Sequence, residues 1–332
     1  MRILVTGGAG YVGSATVEVL LEAGHHVAVL DDLSTGHRPA VADGATLEIG
    51  SYGDAARVRD VLDRHGVEAV LHCAAKSRVS ESVADPGLYY RENVGGGIVL
   101  LETLRAAGVR RVVFSSTAAV YGAPDRTPIT EDMAPAPISP YGETKLAFER
   151  ALRWYGGAYG FRSVCLRYFN VAGASGRFGE AHEPETHLIP NVLGAAAGAT
   201  GLTLFGDDFP TPDGTCIRDY IHVLDLARAH LLALEATAPG DDRTAAPLVC
   251  NLGTGAGFSN REIITVAERV TGRRITCTPG PRRAGDPAVL VASAARAGEL
   301  LAWQPSHSTL DEMIGSAWEW RMAHPHGYSE AG

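Results

Sequence analysis

Gly7-Gly8-Ala9-Gly10-Tyr11-Val12-Gly13 is the stretch on which the fold of this chain turns. It follows the apolar run Arg2–Thr6 and opens a helical pattern over residues 11–23. Glycines between a strand and a helix permit a tight turn and let the backbone approach a pyrophosphate, which sits on the free N–H groups of the helix N-terminus. The next strand-like run, residues 27–30, leads into Asp31-Asp32. A carboxylate there accepts hydrogen bonds from an adenosine ribose and repels a 2′-phosphate, which favours NAD over NADP.

Outward from that turn, short β-branched runs alternate with helical segments. Residues 2–6, 27–30, 69–72, 111–115 and 163–166 have the apolar texture of buried parallel strands. Residues 11–23, 55–64, 87–107 and 141–159 have helical periodicity between them. Strands and helices in that alternation imply βαβ units. The expected fold is therefore α/β, a Rossmann-type doubly wound parallel sheet with a smaller C-terminal substrate-binding lobe. We expect an NAD-binding unit over residues 1–167 and the lobe over 168–332, with a segment near 219–256 returning to the main sheet. Ser259-Asn260-Arg261-Glu262 and Thr309-Leu310-Asp311-Glu312 both fit the capping box and mark two late helices. Leu310, Met313, Ile314, Ala317 and Trp318 make one apolar stripe on the second.

Composition narrows the function classes. At 332 residues, 45% hydrophobic and 20% charged, the chain is an ordinary globular protein with ample core. Its formal charge of -9 argues against a broad nucleic-acid or anionic-membrane footprint. Five cysteines are scattered with no Cys-x-x-Cys pair, so reduced thiols in a cytoplasmic protein are expected. No signal-peptide pattern opens the sequence, and the longest uncharged stretch, residues 186–206, carries Pro190 and several glycines, a poor membrane span. No metal is expected: in His182-Glu183-Pro184-Glu185-Thr186-His187 the second His is one residue too far for a zinc helix, and Pro184 would interrupt that helix.

The richest chemistry lies in Ser139-Pro140-Tyr141-Gly142-Glu143-Thr144-Lys145. Ser then Pro is a helix-start signal. Tyr141 and Lys145, four apart, share one helix face. Free tyrosine titrates near ~10, so a useful tyrosine base needs a shift of roughly three units, about 4 kcal/mol of preference for the anion. A neighbouring ammonium pushes in that direction. Phe114-Ser115-Ser116-Thr117-Ala118-Ala119 lies at the carboxyl end of the fifth strand-like run, where hydroxyls can reach a reacting oxygen.

The glycine fingerprint and Tyr-x-x-x-Lys resemble the extended short-chain dehydrogenase/reductases. The UDP-hexose 4-epimerase branch is the one that Leu166-Arg167-Tyr168-Phe169-Asn170, Pro184-Glu185-Thr186-His187-Leu188-Ile189-Pro190, Phe205-Gly206-Asp207-Asp208, Asp213 to Val223 and Pro281-Arg282-Arg283-Ala284-Gly285-Asp286 resemble. That resemblance implies a homodimer that interconverts UDP-glucose and UDP-galactose with bound NAD. Tyr141 would be the base on the sugar O4, Thr117 its neighbour there, and Lys145 the ribose ligand that keeps Tyr141 acidic. NAD would be held by Gly7, Gly10, Tyr11, Val12, Gly13, Asp31, Asp32, Ser51, Tyr52, Cys73, Ala74, Ala75, Asn93 and Phe169, together with Tyr141 and Lys145. The UDP-sugar would meet Thr117, Asn170, His187, Leu188, Thr203, Leu204, Phe205, Arg218, Arg283, Asp286 and Leu290. Arginine suits a diphosphate because its guanidinium presents fixed, bidentate donors.

The sequence departs from the family pattern in places. Gly50-Ser51-Tyr52 stands where a strand-end acid is expected near the adenine, and Cys73 and Ser77 stand at the usual aromatic and Lys positions. Leu290 falls at a position that gates N-acetylated sugars in some members, and it is less bulky than the tyrosine of some relatives. Among competing readings, a nucleotide-sugar 4,6-dehydratase carries an acid pair after the Thr, where this chain has Ala118-Ala119. A UDP-sugar decarboxylase needs contacts to a C6 carboxylate that are not identifiable here. A non-catalytic NAD-binding sensor leaves Tyr141, Lys145 and Thr117 without a role.

Overall fold

The computed structural model describes residues 1–199, 201–240, 246–283 and 286–328. Seven parallel strands form the main sheet: β1 (Arg2–Thr6), β2 (His26–Asp31), β3 (Thr46–Ile49), β4 (Ala69–His72), β5 (Arg111–Thr117), β6 (Arg162–Tyr168) and a late strand, Leu248–Leu252. Their spatial order is β3-β2-β1-β4-β5-β6 with Leu248–Leu252 outermost beside β6. The order reverses between β1 and β4. In an open α/β sheet that reversal leaves a crevice at the carboxyl ends of the strands, where ligands bind.

Helices cover both faces, as a parallel sheet requires. α1 (Tyr11–Glu22) packs Val17 and Leu20 on one face. α2 (Ala55–His65), α5 (Gly97–Ala107) and α6 (Pro140–Tyr159) pack Val58, Leu101, Phe148 and Leu152 on the other. The single helix expected over 87–107 is broken into α4 (Pro86–Tyr89), a π-helical turn Tyr90–Gly96 and α5, preceded by α3 (Val79–Ala84). Asn93, on the π turn, points into the crevice side of the sheet and makes three hydrogen bonds there, which an uninterrupted helix would have redirected. β3 is a strand the sequence pattern does not announce. Its Glu48 is buried, yet satisfied by Arg57, Arg64 and His65 of α2.

The smaller lobe has two sheets. β7 (Asn170–Ala172) and β13 (Val289–Leu290) lie parallel to β9 (Ile217–His222), and β11 (Gly257–Ser259) lies antiparallel to it. β8 (Leu202–Phe205) pairs with β12 (Cys277–Gly280). α7 (Leu188–Ala196), α9 (Asn260–Thr271) and α11 (Leu310–Ala323) enclose a third core with Ile189, Ile263, Met313 and Ile314. Both expected capping boxes are present, at Ser259 and Thr309. α8 (Val223–Ala236) and α10 (Ala295–Leu301) return to the main sheet's first face, and the strand Leu248–Leu252, β10, extends it. Among the described residues no helix is long and apolar enough to cross a membrane.

Candidate active site

Gly7 turns the chain out of β1 with φ +74, and a Cβ there would lie 2.5 Å from Ala74 N. A Cβ on Gly13 would lie 2.0 Å from Gly7 O. Neither clash is with a flexible side chain, so only glycine fits. Cys73 N and Ala74 N both donate to Thr6 O at 3.0 Å, which brings the end of β4 against the turn. The first turn of α1, with Tyr11 and Val12, has neither a side-chain cap nor an acidic residue. Its free N–H groups form a cradle that fits a dinucleotide pyrophosphate.

Asp31 and Asp32 part company here. Asp31 ends β2 buried, accepting from Ala9 N at 3.0 Å and Leu33 N at 2.9 Å. Burial raises its pKa, and those two N–H groups pull it back. Each carboxylate oxygen keeps a free lone pair for a ribose hydroxyl. Asp32 is exposed and caps the loop through Ser34 N.

The adenine-side and β4-end residues are largely spent on backbone. Ser51 Oγ accepts from Gly53 N at 3.0 Å, and Tyr52 OH donates to Glu92 O at 3.0 Å. Asn93 donates to Lys76 O at 2.9 Å and to Thr144 Oγ1 at 3.1 Å, and accepts from Lys76 N at 2.8 Å. Asn93 thus fixes the 73–76 loop, with Ala75 inside it, to α6. Lys76 itself reaches away to Ser34 Oγ at 3.3 Å. Burial pushes the Cys73 thiol up to about 11, and Ser115 Oγ donates to its Sγ at 3.3 Å.

Ser139 caps α6 through Gly142 N, and Pro140 takes the first helical position. This places Tyr141 and Lys145 one turn apart, both buried, beside the end of β5. Thr117 lies beside Tyr141, close enough for its hydroxyl to favour ionisation of the phenol, and its Oγ1 accepts from Ala119 N at 3.1 Å. Lys145 Nζ donates to Ser115 O at 2.8 Å and lies 6.0 Å from the Tyr141 ring centroid. Burial raises the Tyr141 phenol above its usual value, with the neighbouring Thr117 hydroxyl a smaller opposing effect. Burial likewise lowers the Lys145 ammonium to about 8. Burial of the phenol thus opposes the acidifying pull that an ammonium one turn away exerts.

Phe169 is buried in an apolar cluster with Ala118, Leu146 and the partly buried Leu290. In the smaller lobe, Asn170, Arg218 and Leu290 share one sheet: Asn170 faces Tyr220 across β7–β9, and Leu290 faces Arg218 across β9–β13. Arg218 pairs with Asp286 and donates to Ile217 O at 2.8 Å. The Arg283 guanidinium stacks over Phe205, 4.3 Å from the ring centroid. Thr203 faces outward, but the Leu204 side chain lies in the core, so only its backbone can contact a ligand. His187 holds the N-cap position of α7 without a side-chain cap bond, and Leu188 is the helix's first residue. Ala284 and Gly285 lie outside the described residues.

Sequence reasoning missed a buried network behind the site. Arg167 Nε and Nη2 donate to both oxygens of Glu149 at 2.9 and 2.5 Å, Ser116 Oγ donates to Glu149, and Arg167 Nη1 donates to Tyr121 OH. Tyr121 in turn donates to Asn251 on β10. The signal was available: Glu149 continues the four-residue spacing of Tyr141 and Lys145 along one helix face.

The model of the NAD dependent epimerase/dehydratase family matches residues 3–253. The UDP-glucose 4-epimerase of Lacticaseibacillus casei is 48% identical over 333 residues, covering 99% of both chains. The crystal structure of UDP-glucose 4-epimerase from Brucella ovis in complex with NAD is similar with a TM-score of 0.91 and 48% identity, over 96% of this chain and 97% of that one. The Bifidobacterium longum UDP-glucose 4-epimerase in complex with NAD+ and UDP superposes with a TM-score of 0.92 at 35% identity, over 99% and 100%.

Proposed function

This chain belongs to the NAD dependent epimerase/dehydratase family, and from that premise we propose that it interconverts UDP-glucose and UDP-galactose by inverting C4 of the hexose. The observation that carries the reading is Thr117, Tyr141 and Lys145 gathered at the carboxyl end of β5, beside a glycine turn shaped for a dinucleotide. NAD, when bound, would supply the hydride chemistry at C4 and the positive charge of an oxidised nicotinamide. Tyr141 takes the O4 proton as C4 is oxidised and returns it as C4 is reduced. Thr117 holds that oxygen through its hydroxyl. Lys145, near 8, is mostly charged at neutral pH and adds to the stabilisation of the phenolate. Ala118 and Ala119 leave no acid to eliminate water, which supports epimerisation over dehydration.

The 4-keto sugar must present both faces, so it cannot be gripped, and binding energy has to come from the nucleotide. Arg218 and Arg283 are the diphosphate donors in this reading. Asn170, His187, Leu188, Thr203, Phe205 and Asp286, with the Leu204 backbone, surround the rest of the nucleotide. Asp31, the α1 turn and the β4 end hold NAD. The 1–167 unit is the cofactor half and most of the remainder the substrate half. The free state of all five cysteines supports a reducing, cytoplasmic setting. Exposed Val83, Tyr90 and Trp154, on or beside the helices of one sheet face, support a homodimer.

Purified protein mixed with UDP-galactose, without added NAD, is the direct test. Proton NMR should show the anomeric signal of UDP-glucose growing in. Silence even after NAD is added would point to another nucleotide sugar.

Leu290 makes a second outcome measurable. It packs beside Phe169 and opposite Arg218, and leaves more room than an aromatic ring. UDP-N-acetylglucosamine should be turned over at a fraction of the UDP-glucose rate, and Leu290→Tyr should lower that activity at least about 10-fold while sparing UDP-glucose, the range that steric selection of this size provides. Undetectable turnover by the unsubstituted protein at high enzyme concentration would remove the idea.

A further inference from the structure

The segment Glu180 to His187 is not helical, so the objection that His182 and His187 are misspaced for a zinc helix does not apply to it. An irregular backbone instead brings Glu180, His182, Glu185 and His187 together, with one ligand atom of each within 4.8 Å of all the others. His182 Nδ1 lies 3.0 Å from Glu180 Oε1 and 3.9 Å from Glu185 Oε2, and His187 Nδ1 lies 3.6 Å from Glu185 Oε1 and also contacts Glu180 Oε1. Two imidazole nitrogens and two carboxylate oxygens are a donor set suited to zinc, which takes four such ligands at about 2.0–2.2 Å in a tetrahedron.

The four residues are also braced from outside. Thr186 N and His187 N donate to Glu185 Oε1 at 2.7 and 2.8 Å. His37 Nε2 holds the carbonyl of Ala181 at 2.8 Å, and Arg78 holds that of Glu183. Supports of this kind orient ligands before an ion arrives. His187 is exposed, which gives the ion an entry path.

We propose that Glu180, His182, Glu185 and His187 form a Zn2+ site that fixes this loop in place. The loop lies between two parts of the proposed active site. His182 meets the edge of Tyr11, whose hydroxyl donates to Gly173 O at 2.6 Å, and His187 begins the N-terminus of α7. A metal here ties the cofactor turn to the nucleotide lobe. That placement rests on the function proposed above, whereas the ion binding itself does not.

The test is a direct titration of the NAD-containing protein with Zn2+ after chelator treatment and removal of the chelator, followed by calorimetry or a zinc-indicator competition. One equivalent is expected to bind with sub-micromolar affinity, and Mg2+ is expected not to compete. Glu180→Gln and His182→Ala should each weaken zinc by at least about 100-fold at unchanged fold, checked by circular dichroism. Glu185→Gln provides the same comparison should either variant fail to fold. Absence of a stoichiometric site, or equal zinc affinity in the protein and its folded variants, would overturn the proposal whatever the epimerase assay shows.

Discussion

Tyr141→Phe should lower kcat by about 10²–10⁴-fold, the range that a positioned acid–base group contributes. The mutant keeps the ring that is packed against Tyr89 and loses only the hydroxyl that lies beside Thr117. NAD content, read from absorbance of the denatured protein, should therefore stay near one per chain. A loss of less than 10-fold would reassign the base. Loss of the cofactor instead would mean that Tyr141 serves binding first. The hydroxyl is expected to matter this much because burial has made the phenolate costly, so whatever charge stabilises it is felt in full in the transition state.

Arg167→Leu should be among the most destabilising single substitutions in the main domain, at roughly 3–5 kcal/mol, because it leaves the buried carboxylate of Glu149 without its cation. At this chain length that corresponds to a fall in Tm of roughly 4–7 °C. Pairing the substitution with Glu149→Leu should recover most of the loss, since a buried ion pair replaced whole by apolar groups is often near neutral. A denaturant midpoint unchanged in the single variant would show that water reaches Glu149 and pays its solvation. Activity of the double variant carries separate information. Ser116 would lose its acceptor, and the carboxylate one turn beyond Lys145 would be gone.

The parts of this fold legible in sequence are those whose side chains state one environment. β1, β4 and β5 are short apolar runs, and the Ser139-Pro140 start of α6 and the two capping boxes are written in residues that act locally. β3 escaped notice because Glu48 sits mid-strand, and its acceptability depends on three cations arriving from α2. The π-helical turn escaped because hydrophobic periodicity over 87–107 does not register one extra residue in a turn. β7, β11 and β13, three residues or fewer, are too short for any period. The candidate site divides the same way. Tyr141, Lys145 and the glycine turn are visible from spacing, while the state of Tyr141 is not, because burial is a property of the whole packing. The zinc quartet illustrates the converse. Read as a helix its spacing fails, and only the loop that joins it with Glu180 brings four donor atoms within 4.8 Å of one another.

The last strand of the main sheet has a consequence for how the protein is made. β10 joins β6 only after some eighty intervening residues, strands of the smaller lobe and α8 among them, have been made. While the ribosome is still delivering that stretch, β6 is an open edge whose backbone groups offer themselves to any passing strand. The cofactor half is thus not a self-sufficient unit that forms first and waits. Its completion is postponed until β10 and then α10 have emerged, and a chain truncated shortly after β6 should be caught by chaperones or aggregate, even though every residue of the glycine turn and the Tyr–Lys helix is already present.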